Sequence, residues 1–361
     1  MKRTTLLKTI ATSATLGLLL TACGGGGNEG GGDAEAESYK VGIAQYVSHP
    51  SLDATAQGIK DVLEESEHDI QVEEQNAQAD QATMNNVIGG FAGDGELDAV
   101  LPIATPIAIA AATTVEETSI VFSAVTDPVD AGLVPDWDNP GENITGVSDM
   151  NPVDEQLQLI VDVVGDVETI GIPYSSAESN SVVQVDAAKE AADEMGVEIQ
   201  EVAVTNTSEV AQGVESFDNV DAIYVPTDNT VVSGLETVIS YGIDNQVPVF
   251  AAESDSVERG TIGTYGLNYY EHGRQAGEMA LSLITGEAEL ADTPPSLADP
   301  EALEYTFNLE AAEQMGVEIP QDLIDQANIV GEEGSETDTA TEEGEAETSP
   351  EGDATSEETA E

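Results

Sequence analysis

The sequence contains a single cysteine, Cys23, among 361 residues. One cysteine cannot form an internal disulfide, which excludes the disulfide-stapled scaffolds found among small exported proteins. Basic residues are also rare, because eight lysines and arginines stand against 72 acidic residues and give a formal net charge of −64. A chain with this charge repels nucleic acid and anionic lipid surfaces, so neither is expected to bind directly.

Motifs for catalysis are missing as well. The sequence has no G-x-S-x-G, no H-E-x-x-H and no phosphate-binding P-loop. Its three histidines, His49, His68 and His272, do not stand at a spacing typical of metal ligands. We therefore expect no catalytic residues, no metal and no cofactor.

The chain is rich in acid and poor in aromatic residues, which make up 4% of it, while hydrophobic residues reach 40% and allow a sizeable core. At about 1 M salt the electrostatic screening length falls to about 3 Å, so an acidic surface no longer repels itself. The composition favours a halophilic protein. The alternative is an acidic surface without ecological meaning.

The N-terminus has the pattern of a secretory signal. Lys2, Arg3 and Lys8 precede an apolar run over 10–20, which is too short for a membrane-spanning helix of about 20 residues. The following Leu-Thr-Ala-Cys23 resembles a bacterial lipobox. This predicts a signal peptide over residues 1–22 and a diacylglycerol on Cys23 that anchors the exported protein to the outer face of the cell membrane. An ordinary signal with a chance cysteine is the alternative.

Two segments lack the pattern of a folded domain. Residues 23–38 are rich in glycine and acid and are expected to form a flexible linker behind the lipidated cysteine. Residues 331–361 carry 13 acids, no base and no large apolar residue, so we expect a disordered acidic tail.

Between these segments, short apolar strands alternate with amphipathic helices, for example Lys40–Ala44 followed by a helix over 52–64. This rhythm predicts an α/β fold with mostly parallel sheets covered on both faces. It restarts after residue 148, which predicts two Rossmann-like lobes with a ligand cleft between them. We assign 39–148 plus 262–290 to lobe 1 and 149–261 plus 291–330 to lobe 2, and we expect one helix over Asn229–Tyr241.

Ligands of open α/β sheets bind beyond the carboxyl ends of the strands. Residues at those ends are small hydroxyl residues, amides and single carboxylates, which suit a neutral polar or zwitterionic ligand. The candidate ligand-binding residues are Gln45, Tyr46, His49, Thr105, Pro106, Ser123, Thr126, Asp127, Ser175, Asn180, Thr227, Asp228, Asn229 and Glu253. Each also has a structural alternative: helix capping for Ser123, Ser175 and Thr227, a turn for Asp127, and a surface position for His49.

Several of these segments form longer motifs in a fixed order. They are Val41–Gln45 with His49–Asp53, Ile103–Pro106, Val121–Pro128, Asn143–Val147, Asn180–Gln184, Asp221–Asn229 and Thr261–Gly266. Together they resemble ABC-type substrate-binding lipoproteins of type I periplasmic-binding fold, in the subgroup linked to tryptophan and tyrosine uptake. The resemblance covers the chain from Tyr39 to about Gly286.

The resemblance implies a mechanism as well as a fold. An aromatic amino acid would enter the cleft, with its carboxylate held by Thr105, Ser123 and Thr126. Its ammonium group would pair with Asp228 or Glu253, and its ring would lie against Tyr46, Pro106 or Tyr265. The lobes would close about hinges near Ser148 and Thr261. The closed form would then dock on an ABC permease, which works with its ATPase.

Other functions on this chain remain open at the level of sequence. A sugar or nucleoside could bind in the same fold, although sugar sites usually stack aromatic rings and aromatics are scarce here. A receptor domain that presents a bound ligand to a membrane sensor is a further alternative. An anchored hydrolase is least favoured, because no nucleophile and base form a clear pair.

Overall fold

The computed structural model describes residues 38–300 and 303–330. The predicted signal peptide, Cys23, the linker up to residue 37 and the acidic tail from residue 331 lie outside the described residues. Within the described part of the chain, no helix combines the length and the apolar character needed to cross a membrane.

The chain begins with a run of alternating strands and helices. These elements are β1 (Ser38–Gln45), α1 (Pro50–Glu65), β2 (Asp69–Asn76), α2 (Gln81–Gly93), β3 (Ala99–Ile103), α3 (Thr105–Thr114), β4 (Ser119–Phe122) and β5 (Ile144–Ser148). With α10 (Tyr269–Ile284) and β11 (Ser296–Leu297) they form the first lobe. Its six-stranded sheet has the order β11-β5-β4-β3-β1-β2 and is parallel throughout.

The second lobe repeats the pattern. Its elements are α4 (Val153–Val164), β6 (Thr169–Ser175), α5 (Ser179–Met195), β7 (Glu198–Val204), α6 (Val210–Glu215), β8 (Ala222–Val225), α7 (Asn229–Val232), α8 (Leu235–Asn245), β9 (Val249–Ala251) and α9 (Ser254–Glu258), then β10 (Gly263–Leu267), β12 (Leu303–Asn308), α11 (Leu309–Gln314), α12 (Gln321–Ile324) and β13 (Ala327–Val330). A parallel sheet has the order β7-β6-β8-β9, and a mixed sheet has the order β10-β12-β13.

The buried strands explain why both main sheets are parallel. All five residues of β3 are buried, and alternate side chains enter different cores, with Leu101 on the face covered by α1 and α10 and Val100 on the face covered by α2 and α3. Strands that are apolar on both faces are typical of parallel sheets with helices on each side. The predicted α/β class with parallel sheets is thus confirmed.

Close contact between α1 and α10 holds the second of these helices against the sheet. A Cβ atom added at Gly58 would lie 2.2 Å from the carbonyl oxygen of Tyr270, and one at Gly273 would lie 2.2 Å from that of Thr55. Only glycine allows two backbones to approach so closely. The contact fixes the N-terminal turn of α10, which carries Tyr269 and His272.

The structure differs from the predicted elements at three places. β10, assigned to lobe 1, pairs with β12, and β11, assigned to lobe 2, extends the first sheet beside β5. The expected helix over Asn229–Tyr241 is two helices separated at Gly234, where a Cβ would lie 3.0 Å from Thr207. Strand partners and such tertiary contacts leave no mark on local periodicity. The lobe boundaries otherwise stay a prediction.

Candidate functional site

The two lobes meet where the carboxyl ends of their strands lie. The Nε2 atom of His49, after β1, lies 3.3 Å from the Oδ1 atom of Asn229, after β8. The hydroxyl of Ser51 donates to the Oε2 atom of Glu253, after β9, at 2.7 Å. We call the space between the loops after β1, β3 and β4 and the loops after β6, β8 and β9 the interlobe cleft.

The residues predicted for the site differ in burial. Gln45, His49, Thr105, Ser123, Thr126, Ser175, Asn180, Asp228, Asn229 and Glu253 are buried, whereas Tyr46, Pro106, Asp127, Thr227 and Tyr265 are half-buried. Burying a polar group costs free energy unless it forms hydrogen bonds. The hydrogen bonds of these side chains therefore indicate which of them have capacity left for a ligand.

Thr105 and Ser123 have such capacity on the first lobe. Both side chains are at most 2% exposed, and neither hydroxyl has a hydrogen-bond partner among the described residues. Thr105 begins α3, which has no side-chain cap. Pro106 lacks an N–H group, so the N–H groups of Thr105 and Ile107 are the ones at this helix start that can bind an anion. Together these groups form an arrangement that can accept a carboxylate.

The backbone next to these two hydroxyls is strained. Ala104 has φ 89° and Ala124 has φ 53°, which lie in a region that side-chain-bearing residues rarely occupy. Each costs about 1–3 kcal/mol, and such strain persists only where neighbouring structure imposes it. The N–H of Ala104 donates to the carbonyl of Ser123 at 3.0 Å. Strain at two adjacent strand ends marks this place as a candidate binding site.

His272 holds the strained backbone at Ala124 through a hydrogen bond. Its Nε2 atom accepts the backbone N–H of Ala124 at 2.9 Å, and the ring is 1% exposed. Burial lowers the pKa of His272 to about 4, so the imidazole is neutral near pH 7 and keeps the lone pair that this bond requires.

The second lobe contributes an amide oxygen. Asn180 donates from Nδ2 to the carbonyl of Thr227 at 3.0 Å, while its buried Oδ1 atom has no partner in the described residues. Thr227 is held by Gln184 through its backbone N–H at 3.0 Å. His49 likewise has a buried Nδ1 atom without a partner among those residues, so both lobes present an unused acceptor.

Asp228 serves the backbone of its own lobe. Its oxygens accept the N–H groups of Ser175 and of Val231, the latter at 2.8 Å as the N-cap of α7. Burial, and next the charge of Glu178, raises the pKa of Asp228 to about 7. Burial and the charges of the same two carboxylates raise the pKa of Tyr46 to about 12.

Glu253 joins the lobes instead of capping a helix. It accepts the Ser51 hydroxyl and is 2% exposed. Burial raises the pKa of Glu253 to about 8 against the opposing effect of that hydrogen bond, and the charges of Asp255 and Asp149 raise it further. A cation in the cleft would favour its ionised form.

Three predicted residues have local structural roles. Gln45 donates to Asp53 at 2.6 Å, which shapes the loop after β1. Asp127 accepts the backbone N–H groups of Val129 and Asp130 at 2.9 and 3.0 Å, as in a simple turn. The ring of Tyr265 packs on that of Tyr305 with centroids 4.5 Å apart, in the β10–β12 pair.

Sequence reasoning missed Asp149, Glu178 and His272. Asp149 directly follows β5, so the strand-end rule would have found it if applied there. Glu178 precedes α5, and its carboxylate accepts hydrogen bonds from Asn229 and Thr230. His272 lies inside a helix and gives no local signal. Within the described residues, no His, Cys, Asp and Glu side chains are grouped to hold a metal ion.

Comparison with known proteins shows the family of this chain. Residues 40–330 match the family model of the ABC transporter substrate-binding proteins. The chain is 34% identical over 291 residues to a tyrosine-binding protein of Clostridioides difficile, covering 78% of this chain and 84% of that protein. Proteins of this family bind small molecules outside the cytoplasmic membrane and are not enzymes.

Two solved structures have the same fold as this chain but superpose on it to different degrees. An ABC domain from Streptococcus pneumonia in complex with L-Trp has 34% identity and a TM-score of 0.77, covering 81% of this chain and all of that one. A ligand-free, open substrate-binding protein from Clostridium difficile has 37% identity but a TM-score of only 0.63, covering 81% and 99%. In this chain, hydrogen bonds join the two lobes across the interlobe cleft.

Both structures have the two-lobed, type I periplasmic-binding architecture that the sequence motifs imply, which confirms the predicted fold. The family match spans nearly all of the described residues, and both relatives exceed 30% identity over most of their length. This chain therefore belongs to the ABC transporter substrate-binding protein family.

Proposed function

We propose that this chain captures an aromatic amino acid, namely tryptophan, tyrosine or phenylalanine, and delivers it to the permease of an ABC importer. The observation that carries the proposal is the pair of buried hydroxyls of Thr105 and Ser123, which have no partner among the described residues and stand beside the free N–H groups of α3. This arrangement suits the carboxylate of an amino acid. The tyrosine-binding relative and the L-Trp complex support the aromatic side chain.

The half-buried Tyr46 and Pro106 lie on the same lobe as these hydroxyls and are the candidates for contact with the ligand ring. Tyr265 is less suited, because its ring already packs on Tyr305. Sequence reasoning offers Asp228 and Glu253 for the ammonium group. Closure would bend the chain near Ser148 and Thr261, and the closed form would dock on the permease and its ATPase.

Export and anchoring complete the proposal. The signal over 1–22 and a lipid on Cys23 would keep the protein at the outer face of the membrane, near its permease. In a membrane fractionation, we expect wild-type protein in the membrane pellet and the variant Cys23→Ala in the soluble fraction. Equal amounts of both in the pellet would contradict the lipid anchor.

The ligand is tested by a thermal-shift panel of amino acids, sugars and nucleosides in molar salt. A ligand at about 100 times its Kd stabilises the fold by about 2.7 kcal/mol, which raises Tm by about 4 °C. We expect this shift with aromatic amino acids alone. The double variant Thr105→Val and Ser123→Ala should lose the shift, whereas Asp80→Asn, at the N-cap of α2, should keep it. A shift with a sugar or nucleoside instead would overturn the ligand assignment.

A further inference from the structure

A buried carboxylate lies at the junction of the two lobes. Asp149 directly follows β5, just before the chain enters α4, and is 1% exposed. The Thr126 hydroxyl donates to its Oδ1 atom at 3.1 Å, and the Tyr269 hydroxyl donates to its Oδ2 atom at 3.0 Å. Two neutral donors leave unused capacity on a carboxylate, which has about four acceptor sites.

No basic side chain among the described residues compensates this charge. All five lysines and arginines between residues 38 and 330 form ion pairs with other carboxylates: Lys40, Lys60, Lys189, Arg259 and Arg274. Buried charges in proteins are normally paired. Burial raises the pKa of Asp149 to about 6, against the opposing effect of its two hydroxyl donors, which reflects the cost of an unpaired charge.

The surroundings of Asp149 connect it to both walls of the cleft. Thr126 follows β4 of the first lobe, and Asn151, two residues after Asp149, donates to the Thr227 hydroxyl of the second lobe at 3.4 Å. Glu253 is close enough that the charge of Asp149 raises its pKa, and both carboxylates act on Tyr269. A cation here would relieve repulsion between two buried carboxylates.

The carboxylates chosen from sequence already have structural roles. Both oxygens of Asp228 accept backbone N–H groups that cap α7 and hold the end of β6. Glu253 accepts the Ser51 hydroxyl, which joins the lobes. Thr126, expected to hold the ligand carboxylate, gives its single hydroxyl proton to Asp149. It therefore orients Asp149, and the carboxylate is left to Thr105 and Ser123.

We propose that Asp149 binds the α-ammonium group of the ligand, with Thr126 and Tyr269 orienting its carboxylate and Glu253 beside it. The assignment rests on the proposed function, because it requires a zwitterionic ligand. An ammonium group has three N–H donors, so it can serve Asp149 and a second acceptor at once. The ligand carboxylate would then bind Thr105 and Ser123, and its ammonium group would bind Asp149. This separation would favour α-amino acids over simple carboxylic acids.

The test compares ligands that differ only in the ammonium group. L-tryptophan and its desamino analogue, 3-(indol-3-yl)propionic acid, are titrated calorimetrically into the mature protein, its Asp149→Asn variant and the control Asp80→Asn. Truncating one partner of a buried charge pair costs enough that we expect Asp149→Asn to weaken tryptophan binding about 30-fold or more. The affinity for the analogue should change by less than about threefold, since the analogue lacks the group that Asp149 recognises.

Three outcomes would overturn the assignment. Equal losses for tryptophan and the analogue would indicate that Asp149 only supports the fold, and unfolding midpoints of both variants would show this directly. Unchanged tryptophan binding in Asp149→Asn, with an ammonium-specific loss in Glu253→Gln or Asp228→Asn, would move the site to those residues. A wild-type protein that binds no aromatic amino acid would contradict the proposed function itself, which the titration of wild type reveals before any variant is measured.

Discussion

The imidazole of His272 accepts the backbone N–H of Ala124 at 2.9 Å, in a segment where Ala124 has φ 53°. The acceptor thus holds a strained turn next to the Ser123 hydroxyl, which has no partner in the described part of the chain. His272 itself is positioned by α10, whose Gly273 touches the backbone of α1. The candidate carboxylate site therefore depends on a residue far from it in sequence.

Replacement of His272 should weaken ligand binding through this turn. His272→Leu leaves the Ala124 N–H buried without an acceptor, which costs about 1–3 kcal/mol. We expect about tenfold weaker tryptophan binding, measured by calorimetric titration, and partial recovery in His272→Gln, whose side-chain oxygen can accept the same N–H. Wild-type affinity in His272→Leu would show that the hydrogen bond does not shape the site.

The same residue should make stability depend on pH. The pKa of His272 is lowered by burial from 6.5 to about 4 in the folded protein. Its contribution to stability is therefore complete above about pH 6.5 and is lost as pH falls towards about 4, by up to about 3 kcal/mol. Because buried carboxylates with raised pKa values act in the opposite direction, the measurement is the difference in unfolding free energy between wild type and His272→Gln. On acidification, the wild type should lose more unfolding free energy than His272→Gln. A difference that stays constant with pH would contradict this prediction.

Local sequence predicted much of the fold, whereas the site residues that it proposed stay a prediction. Apolar runs such as β3 showed the buried strands, and the strand-end rule pointed to Thr105 and Ser123, whose hydroxyls are indeed buried and lack a partner among the described residues. Asp149 was missed because the rule was not applied after Asn143–Val147, where a hinge near Ser148 was expected instead. A firmer strand assignment would have placed Asp149 among the candidates.

Other features depend on contacts between distant parts of the chain. Tyr265 lies within the motif Thr261–Gly266, but the packing of its ring on Tyr305 depends on the pairing of β10 with β12. The break at Gly234 follows from contact with Thr207. The hydrogen bond from the Thr230 N–H in α7 to Glu178 joins residues 52 positions apart. Such long-range pairings are set by packing and are invisible to a local pattern.

The contact between α1 and α10 gives a matched pair of glycine substitutions. A Cβ at Gly273 would lie 2.2 Å from the Thr55 carbonyl, so Gly273→Ala should destabilise the fold by about 1–3 kcal/mol through overpacking. A Cβ at Gly89 in α2 would meet no atom of the described residues within 4 Å, and Gly89→Ala should stabilise by about 0.5–1 kcal/mol. Urea unfolding measures both, and equal effects would show that the helices are not in close contact.

The charge of the chain predicts how stability responds to salt. Five basic residues face a large excess of acids in the described part of the chain, and the ion pairs that they form are mostly exposed. Chloride salts at molar concentration screen the remaining repulsion over about 3 Å. The unfolding midpoint should rise between dilute buffer and molar sodium chloride. An unchanged or falling midpoint would rule out halophilic adaptation.

The hydrogen bond between Ser51 and Glu253 should favour the closed arrangement of the lobes. Ser51→Ala removes a donor from a buried carboxylate at 2.7 Å, with a cost of about 1–3 kcal/mol that falls on the closed form alone. Because affinity is reduced by the fraction of molecules able to close, tryptophan binding should weaken about 5- to 150-fold. Small-angle scattering should show a larger radius of gyration without ligand. The control is Ser48→Ala, whose hydroxyl bonds Asp53 within the first lobe. Equal behaviour of the two variants would show that the bond across the cleft does not govern closure.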